Sequence, residues 1–335
     1  MVYLDNAVYR SDIETAIGHV IGFENFYQKK VVIFGATGLI GSLITDCLIY
    51  ANMVRNAGIV IYAVSRSIEQ LKKRFGSEQT KYLNFMEADV TQIELEMKAD
   101  YIIHAASYGH PSAFQEKPVE VLLSNVVGTQ RVLALAKMNE GCRVLYVSSG
   151  EVQEQVDHLT VRACYPIGKK AAETLCISWL TEYGVEVVLA RPCHTFGANM
   201  TKNDNRAAAQ FLSSAAKGIH IQMYSAGEQL RSFAYVADCV SGLLTVLAAG
   251  EAGAVYGISS GECCTLRAFA EQCAVVGNCR VAIHTPTTAQ QTEMSPIRKQ
   301  LVDNSALIKL GWQPAFSIDE GIRRSIKIIR EMGEL

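Results

Sequence analysis

The sequence lacks cysteine pairs spaced C-x-x-C, a large excess of either charge, and any uninterrupted apolar run of about 20 residues. Its ten cysteines are scattered, and 31 basic against 33 acidic residues give a formal net charge of −2. The missing pairs argue against a zinc site, and the near-neutral charge argues against nucleic acid as a partner. The missing apolar run argues against a membrane span, and unpaired thiols suit a reducing compartment. We therefore expect a cytoplasmic protein without a bound metal.

Three glycines follow an apolar stretch near the N-terminus. Residues 31–34 have the pattern of a buried strand, the glycines follow in the spacing G-x-x-G-x-x-G, and residues 42–50 can form a helix. A strand, a glycine turn and a helix in this order form a dinucleotide site, whose pyrophosphate lies on the free N–H groups of the helix. The cofactor-binding residues predicted here are Gly35, Thr37, Gly38, Leu39, Ile40 and Gly41.

A second motif lies further along the chain, in Tyr165-Pro-Ile-Gly-Lys169. A tyrosine and a lysine four residues apart share one face of a helix. An ammonium group beside a phenol lowers the phenol's pKa, so the pair predicts a proton donor and acceptor that works near neutral pH.

These two motifs, with Ser148-Ser149 between them, resemble the extended short-chain dehydrogenase/reductase family, in its nucleotide-sugar epimerase, dehydratase and decarboxylase branch. The resemblance implies an α/β fold, with a Rossmann-type doubly wound parallel sheet and a smaller mixed α/β substrate lobe. It also implies that Tyr165 is the catalytic acid/base, that Lys169 forms a hydrogen bond with the nicotinamide ribose, and that Ser149 forms a hydrogen bond with the reacting sugar oxygen.

Strand and helix patterns alternate through the first two thirds of the chain. They predict, in order, strand 59–64, strand 83–86, strand 101–105, helix 119–137, strand 143–148, helix 165–183 and strand 185–190. Such alternation is typical of a parallel sheet with both faces covered, which binds ligands at the carboxyl ends of its strands. Residues 194–206 are rich in polar residues and glycine, and we expect a loop there.

Residues 1–28 precede the first predicted strand. Five apolar residues recur there at helical spacing: Ile13, Ala16, Ile17, Val20 and Ile21. They predict an amphipathic helix that packs on the body of the protein or on a dimer partner, with a substrate-covering role as the alternative. The family resemblance implies a dinucleotide-binding domain over 29–193 with about 232–257, and a substrate lobe over 194–231 with about 258–335.

The end of the second predicted strand reads Ser65-Arg66, where NAD enzymes usually place an acid. A guanidinium can pair with a 2′-phosphate, which favours NADP. The alternative is a solvated Arg66 in an enzyme that uses NAD. The resemblance implies further cofactor contacts at Asp89, Val90, Ala105, Ala106, Ser107 and Pro192.

Glu151 is the third residue of the family's active-site triplet, counted back from Val152. Sugar 4,6-dehydratases carry Asp-Glu in the last two positions of the triplet, and Gly150 removes that acid, which argues against 4,6-dehydration. In UDP-glucuronate decarboxylases this triplet resembles Thr-Ser-Glu, so Glu151 is a catalytic candidate. The alternative is a carboxylate that faces solvent.

Candidate substrate contacts follow from the same resemblance. It implies that Arg231 and Arg298 bind a diphosphate, which two guanidinium groups suit well, and that Arg206 contacts ribose or phosphate. Solvated arginines are the alternative. His194 stands where the family usually has asparagine, and it either replaces a hydrogen bond or adds an acid/base.

The motifs together predict an enzyme that acts on a nucleotide-diphosphate sugar and oxidises its C4, with Tyr165 taking the hydroxyl proton. Reduction of the 4-ketone on the other face would be epimerisation, and loss of carbon dioxide would be decarboxylation, the closest single resemblance. An NADPH-dependent 4-keto-sugar reductase is the alternative, supported by Arg66 and Gly150. Family analogy also implies a homodimer.

Overall fold

The computed structural model describes residues 3–77, 79–93, 97–201, 204–286 and 297–332. Its strands are β1 (Lys30–Phe34), β2 (Val60–Ser65), β3 (Leu83–Glu87), β4 (Tyr101–His104), β5 (Arg143–Val147), β6 (Glu186–Pro192), β7 (His194–Phe196), β8 (Ile221–Met223), β9 (Leu230–Tyr235), β10 (Val255–Ile258), β11 (Cys263–Thr265), β12 (Val281–Ile283) and β13 (Lys299–Gln300). The helices are α1 (Ala7–Gly18), α2 (Leu39–Arg55), α3 (Ile68–Phe75), α4 (Pro111–Glu116), α5 (Pro118–Lys137), α6 (Cys164–Tyr183), α7 (Ala207–Ala216), α8 (Val236–Ala249), α9 (Leu266–Gly277), α10 (Ser305–Lys309) and α11 (Ile318–Met332).

A seven-stranded sheet, ordered β10-β6-β5-β4-β1-β2-β3, forms the centre of the molecule, and every neighbouring pair in it is parallel. Its interior strands are almost wholly buried, as the apolar runs in the sequence predicted. The strand order reverses direction between β1 and β4, and ligands of such sheets bind at the carboxyl ends of the strands near that point. The predicted α/β class and doubly wound parallel sheet are confirmed.

Smaller sheets lie beside the carboxyl edge of the large one. Strand β9 pairs with β11 in antiparallel fashion and with β7 and β13 in parallel fashion, while β8 pairs with β12. The β13 register places Gln300 opposite Arg231. A short strand from the end of the chain therefore lies next to a predicted substrate residue.

The expected loop over 194–206 is wrong at its start, because His194–Phe196 form β7. Thr195 and Phe196 are buried, and the three residues pair with β9, so tertiary packing overrides the polar composition of the segment. Residues 202 and 203 of the predicted loop lie outside the described residues.

Helix α2 begins three residues earlier than the sequence indicated. Gly38 is its extended N-cap residue, and Ser42 N donates to Gly38 O at 2.9 Å. Gly35 has a φ of 84°, and a Cβ on Gly41 would lie 2.2 Å from Gly35 O. The first glycine thus makes the turn, and the third lets the helix pack against it.

The N-terminal helix α1 packs on the body of the protein through Ile13, Ala16 and Ile17, which are buried. Its polar contacts are also buried: Tyr9 OH donates to Asp46 at 2.7 Å, and Tyr235 OH donates to Asp12 at 2.6 Å. This helix packs on α2, α8 and α11, and none of the described residues before β1 lines the cavities discussed below.

By length and composition alone, helix α5 is long and apolar enough to cross a membrane, and half of its apolar stretch is buried inside the protein. It packs against α6, which carries the Tyr-Lys motif. Several large apolar side chains of these two helices remain exposed: Val119, Leu122, Leu123, Ile167 and Ile177.

Candidate active site

Three adjoining cavities follow the carboxyl ends of the strands. The β2 cavity, of about 380 Å³, lies between the ends of β2 and β4 and is lined by Gly35, Thr37, Ser65, Arg66, Asp89, Val90, Ala106 and Ser107, among others. The central cavity, of about 270 Å³, is lined by Gly38, Leu39, Ile40, Gly41, Ala105, Ser149, Glu151, Tyr165, Lys169 and Pro192, among others. The lobe cavity, of about 400 Å³, reaches into the smaller sheets and is lined by Glu151, Arg162, His194, Arg206, Arg231 and Gln300, among others.

Every residue predicted to bind the cofactor lines the β2 cavity or the central cavity. The first residues of α2 line the central cavity, and the backbone N–H groups of a helix's first turn have no partner within the helix. A Cβ on Gly38 would meet only Gly35 O, at 3.5 Å, so a side chain at this position would project into the space beside the turn. These features fit a dinucleotide, with its pyrophosphate at the start of α2.

Arg66 lies exposed at the rim of the β2 cavity. Its guanidinium lies over the Tyr108 ring, 4.7 Å from the centroid, and donates to the Tyr108 hydroxyl. Thr37 and Ser65 hydroxyls lie 3.3 Å apart on the same rim. The rim therefore presents one cation and two hydroxyls close to the end of β2.

Tyr165 lies in the first turn of α6 and stacks on Phe114, with ring centroids 4.8 Å apart. Burial, followed by the Glu151 charge, raises the pKa of Tyr165 to about 12. The groups that oppose this rise are the hydrogen bond from Ser149 and the charges of Arg206 and Arg162. Lys169 is not among these main contributors, and its effect on the pKa of Tyr165 stays a prediction.

Lys169 is buried one helical turn after Tyr165, and its Nζ donates to Val147 O at 2.7 Å. Burial lowers the pKa of this lysine to about 7, and the charge of Glu173 opposes the change. The Nζ also lies 4.9 Å from the centroid of the Tyr146 ring. Lys169 is thus anchored at the end of β5, on the floor of the central cavity.

Glu151 lies in the 3₁₀ turn Gly150–Gln153, where its N–H donates to Ser149 Oγ at 3.2 Å. Its carboxylate pairs with Arg162 at 2.5 Å, and the Arg162 guanidinium lies 4.7 Å from the centroid of the Phe114 ring. Glu151 lines both the central cavity and the lobe cavity. The geometry favours the catalytic interpretation of Glu151 over that of a carboxylate facing bulk solvent.

His194 and two of the predicted arginines lie in the lobe cavity. Burial, together with the charges of Arg231 and Arg206, lowers the pKa of His194 to about 3. A histidine with so low a pKa is neutral at pH 7, which favours its interpretation as a hydrogen-bonding group over that of an acid/base. Arg206 binds Asp204 through two nitrogens, the shorter contact being 2.6 Å.

Arg231 is 2% exposed, and its guanidinium donates to the backbone oxygens of Leu230, at 2.9 Å, and Ile297. Arg298 is exposed and lies outside the described lining of the three cavities. The structure thus brings Arg231 to the site and leaves Arg298 beside it, and a diphosphate contact by Arg298 stays a prediction.

Four further residues belong to the site and were not predicted from the sequence: Ser148, Arg162, Glu173 and Gln300. Glu173 follows Lys169 by four residues, so helical spacing could have identified it. Arg162 lies in the segment Arg162-Ala-Cys-Tyr165, which resembles the tyrosine motif of the decarboxylases, whereas no local pattern marks Gln300.

A family model described as the NAD dependent epimerase/dehydratase family matches residues 31–259. UDP-glucuronic acid decarboxylase 1 of Danio rerio is 31% identical over 314 residues, which are 90% of this chain and 72% of that protein. Among solved structures, the epimerase Mth375 of Methanothermobacter thermautotrophicus has a TM-score of 0.78 at 19% identity, covering 92% of this chain and 94% of its own. The enzyme WbmF of Bordetella bronchiseptica, in complex with NAD+ and UDP, has a TM-score of 0.77 at 20% identity, with the same coverage. The structural likenesses support the fold.

Proposed function

This chain belongs to the NAD dependent epimerase/dehydratase family of enzymes, and from this we propose that it decarboxylates a UDP-linked uronic acid through a 4-keto sugar. One observation carries the proposal: Ser149, Glu151, Tyr165 and Lys169 line one cavity, which adjoins a second cavity that holds Arg162, Arg206 and Arg231. The first group suits oxidation of a sugar hydroxyl, and the arginines suit a diphosphate and a carboxylate.

The residues of the glycine turn and of the β2 rim would hold a nicotinamide cofactor, which would supply a reversible hydride acceptor for sugar C4. Tyr165 takes the proton of the C4 hydroxyl, and Ser149 bonds the same oxygen. The charges of Arg206 and Arg162 and the Ser149 hydrogen bond favour the tyrosinate that this step requires, because each acts to lower the pKa of Tyr165. Lys169, anchored at Val147 O, is placed to hold the ribose of the cofactor.

A ketone at C4 makes the C6 carboxylate a β-keto acid. The C5–C6 bond then breaks, carbon dioxide leaves, and the electron pair passes to an enolate whose oxygen remains bonded to Tyr165 and Ser149. A proton must next reach C5, and Glu151, which lines both cavities and is fixed by Arg162, is the candidate that relays it. Gly150 offers no acid for a leaving hydroxyl, which supports loss of carbon dioxide over loss of water.

Arg66 and Gly150 favour a second candidate, an NADPH-dependent 4-keto-sugar reductase. The family description names NAD, whereas the cationic rim of the β2 cavity and the missing acid at the end of β2 support NADP. Our proposal for the cofactor is therefore NAD(P), with Arg66 as the residue that admits the 2′-phosphate.

A homodimer through α5 and α6 is part of the proposal. The exposed side chains of Val119, Leu123 and Ile167 are apolar, and a second copy of the same two helices would cover them. Sedimentation of the wild type and of a Leu123→Glu variant tests this, because a charge in such an interface would give a monomer.

The deciding experiment supplies UDP-glucuronate that is isotope-labelled at C6, with NAD or NADP, and follows the label by NMR. Decarboxylation releases labelled bicarbonate and a UDP-pentose without net use of cofactor. A Tyr165→Phe variant should slow the reaction by about 10²–10⁴-fold. Retention of the label in a new UDP-uronate would instead identify an epimerase. Stoichiometric use of NADPH on a UDP-4-keto sugar, with no carbon dioxide released, would identify the reductase.

A further inference from the structure

Gly150 is the position in the site where a side chain is missing, and the space beside it is filled from the far end of the chain. A Cβ on Gly150 would lie 2.6 Å from Val302 Cγ2 and 3.8 Å from Gln300 Nε2. Gln300 is the last residue of β13, and Val302 lies two residues further along the chain. The carboxamide of Gln300 therefore lies next to the point at which a side chain of residue 150 would begin.

Gln300 is 3% exposed, although its side chain is polar. Its Oε1 is buried and has no hydrogen-bond partner among the residues that the structure describes. Buried amide oxygens are nearly always paired, because an unpaired one costs about 1–3 kcal/mol. Gln300 also lines both the central cavity and the lobe cavity, so the residue borders the region that the two cavities share.

We propose that Gln300 is a specificity-determining residue whose Oε1 accepts a hydrogen bond from a ring hydroxyl of the bound sugar. The proposal rests on the nucleotide-sugar function proposed above. Ser149, which is assigned to the C4 oxygen, and Gln300 line the same central cavity, so Gln300 borders the space that the sugar ring would occupy.

The chemistry of the unpaired atom defines its partner. Oε1 is an acceptor, so it requires a donor, and a sugar hydroxyl is a donor whereas an ionised carboxylate is not. The N–H protons of a carboxamide are also too weakly acidic to be transferred to a leaving group. Gln300 therefore recognises the sugar without catalysing loss of a hydroxyl from it, and it is provided by the substrate lobe in place of a side chain at residue 150.

Binding of UDP-glucuronate and of UDP alone to the cofactor-loaded protein, measured by calorimetry, tests the proposal with a Gln300→Met variant. Methionine keeps the length of the side chain and removes its hydrogen-bonding groups. We expect a roughly tenfold weaker affinity for UDP-glucuronate, since one hydrogen bond is lost, and an unchanged affinity for UDP. Gln70→Met, on the exposed surface of α3, is the matched control and should bind like the wild type.

UDP-glucuronate analogues deoxygenated at C2 or C3 complete the test. The analogue that lacks the partner hydroxyl should bind the wild type and Gln300→Met equally, while the other should retain the tenfold difference. The proposal is overturned if the variant loses affinity equally for both analogues and the parent, if it loses affinity for UDP itself, or if it loses none. A wild type that binds neither UDP nor UDP-sugars would instead overturn the proposed function.

Discussion

Glu173 and Arg191 form a two-point ion pair behind the catalytic residues. Arg191 Nε donates to Oε1 of the carboxylate at 2.9 Å, and Nη2 donates to Oε2 at 2.6 Å. Ser148 Oγ donates to the same Oε1 at 2.5 Å. Because Ser148 precedes Ser149 and Glu173 follows Lys169 by one helical turn, this carboxylate joins the end of β5, strand β6 and helix α6. It acts as a positioning residue for the site.

Glu173→Gln should shift the pH profile of kcat/KM. The negative charge of Glu173 opposes the burial that lowers the pKa of Lys169 to about 7, so its removal lowers that pKa further. The charged ammonium of Lys169 is a stronger donor to ribose than the neutral amine, so activity should fall as pH rises through its pKa. The alkaline limb of the profile should therefore move to lower pH.

Ser148→Ala is the control, because it removes one hydrogen bond and keeps the charge of Glu173. Its alkaline limb should stay where the wild type has it. If the limb of Glu173→Gln also stays in place while kcat falls, Glu173 acts by packing alone.

Gly150→Ala should destabilise the fold by about 1–3 kcal/mol, since the new Cβ overlaps the Val302 side chain in a packed region. The double variant with Val302→Ala should recover most of that loss, because the smaller residue makes room. Urea unfolding of the wild type, both single variants and the double variant measures the coupling. Additive effects of the two substitutions would contradict the contact.

Arg66→Ala should weaken NADP binding by about 1.5–3 kcal/mol, the worth of a hydrogen bond to a charged group, and leave NAD binding almost unchanged. Fluorescence titration of both cofactors gives the ratio. The opposite result is a wild type that binds NAD tightly and NADP poorly, with Arg66→Ala behaving in the same way. That result would show that Arg66 does not recognise the 2′-phosphate.

Acid should destabilise the protein through His104 and His194. Burial lowers the pKa of each to about 3 from an ordinary 6.5. Below about pH 6.5 the two histidines become protonated in the unfolded chain but stay neutral in the folded protein, so the free energy of unfolding decreases as pH falls. The loss should be about 2 kcal/mol per histidine between pH 6.5 and 5.

Urea midpoints of the wild type, His104→Phe and His194→Asn across this pH range measure the effect. Each variant should depend less steeply on pH than the wild type. Equal slopes for all three proteins would show that other groups control the acid response.

The sequence predicts the large sheet and half of the site because both are encoded locally. The glycine turn after residues 31–34 and the four-residue spacing of Tyr165 and Lys169 each lie within one strand-to-helix unit, where geometry follows from short-range rules. The order of the strands then brings the two units to one edge. These parts of the site can therefore be predicted without knowing any contact between distant residues.

The other half of the site depends on contacts across the chain, which local patterns do not carry. Gln300 reaches Gly150 only because β13 pairs with β9, and Arg162 becomes important only because Glu151 folds back onto it. The pKa of Tyr165 is likewise set by burial and by Arg206, 41 positions along the chain, as much as by its own helix. Spacing within a motif identifies the reacting groups, whereas their tuning comes from tertiary structure.

The buried Asp12 binds Tyr235 and Arg324, so helix α1 is held by residues that the ribosome makes 223 and 312 positions later. Arg324 is separated from Asp12 by 312 positions, which corresponds to roughly 15–60 s of synthesis. Until then α1 lacks the part of its packing surface that α11 provides. A ribosome that stalls before α11 therefore leaves the buried Asp12 without its Arg324 partner.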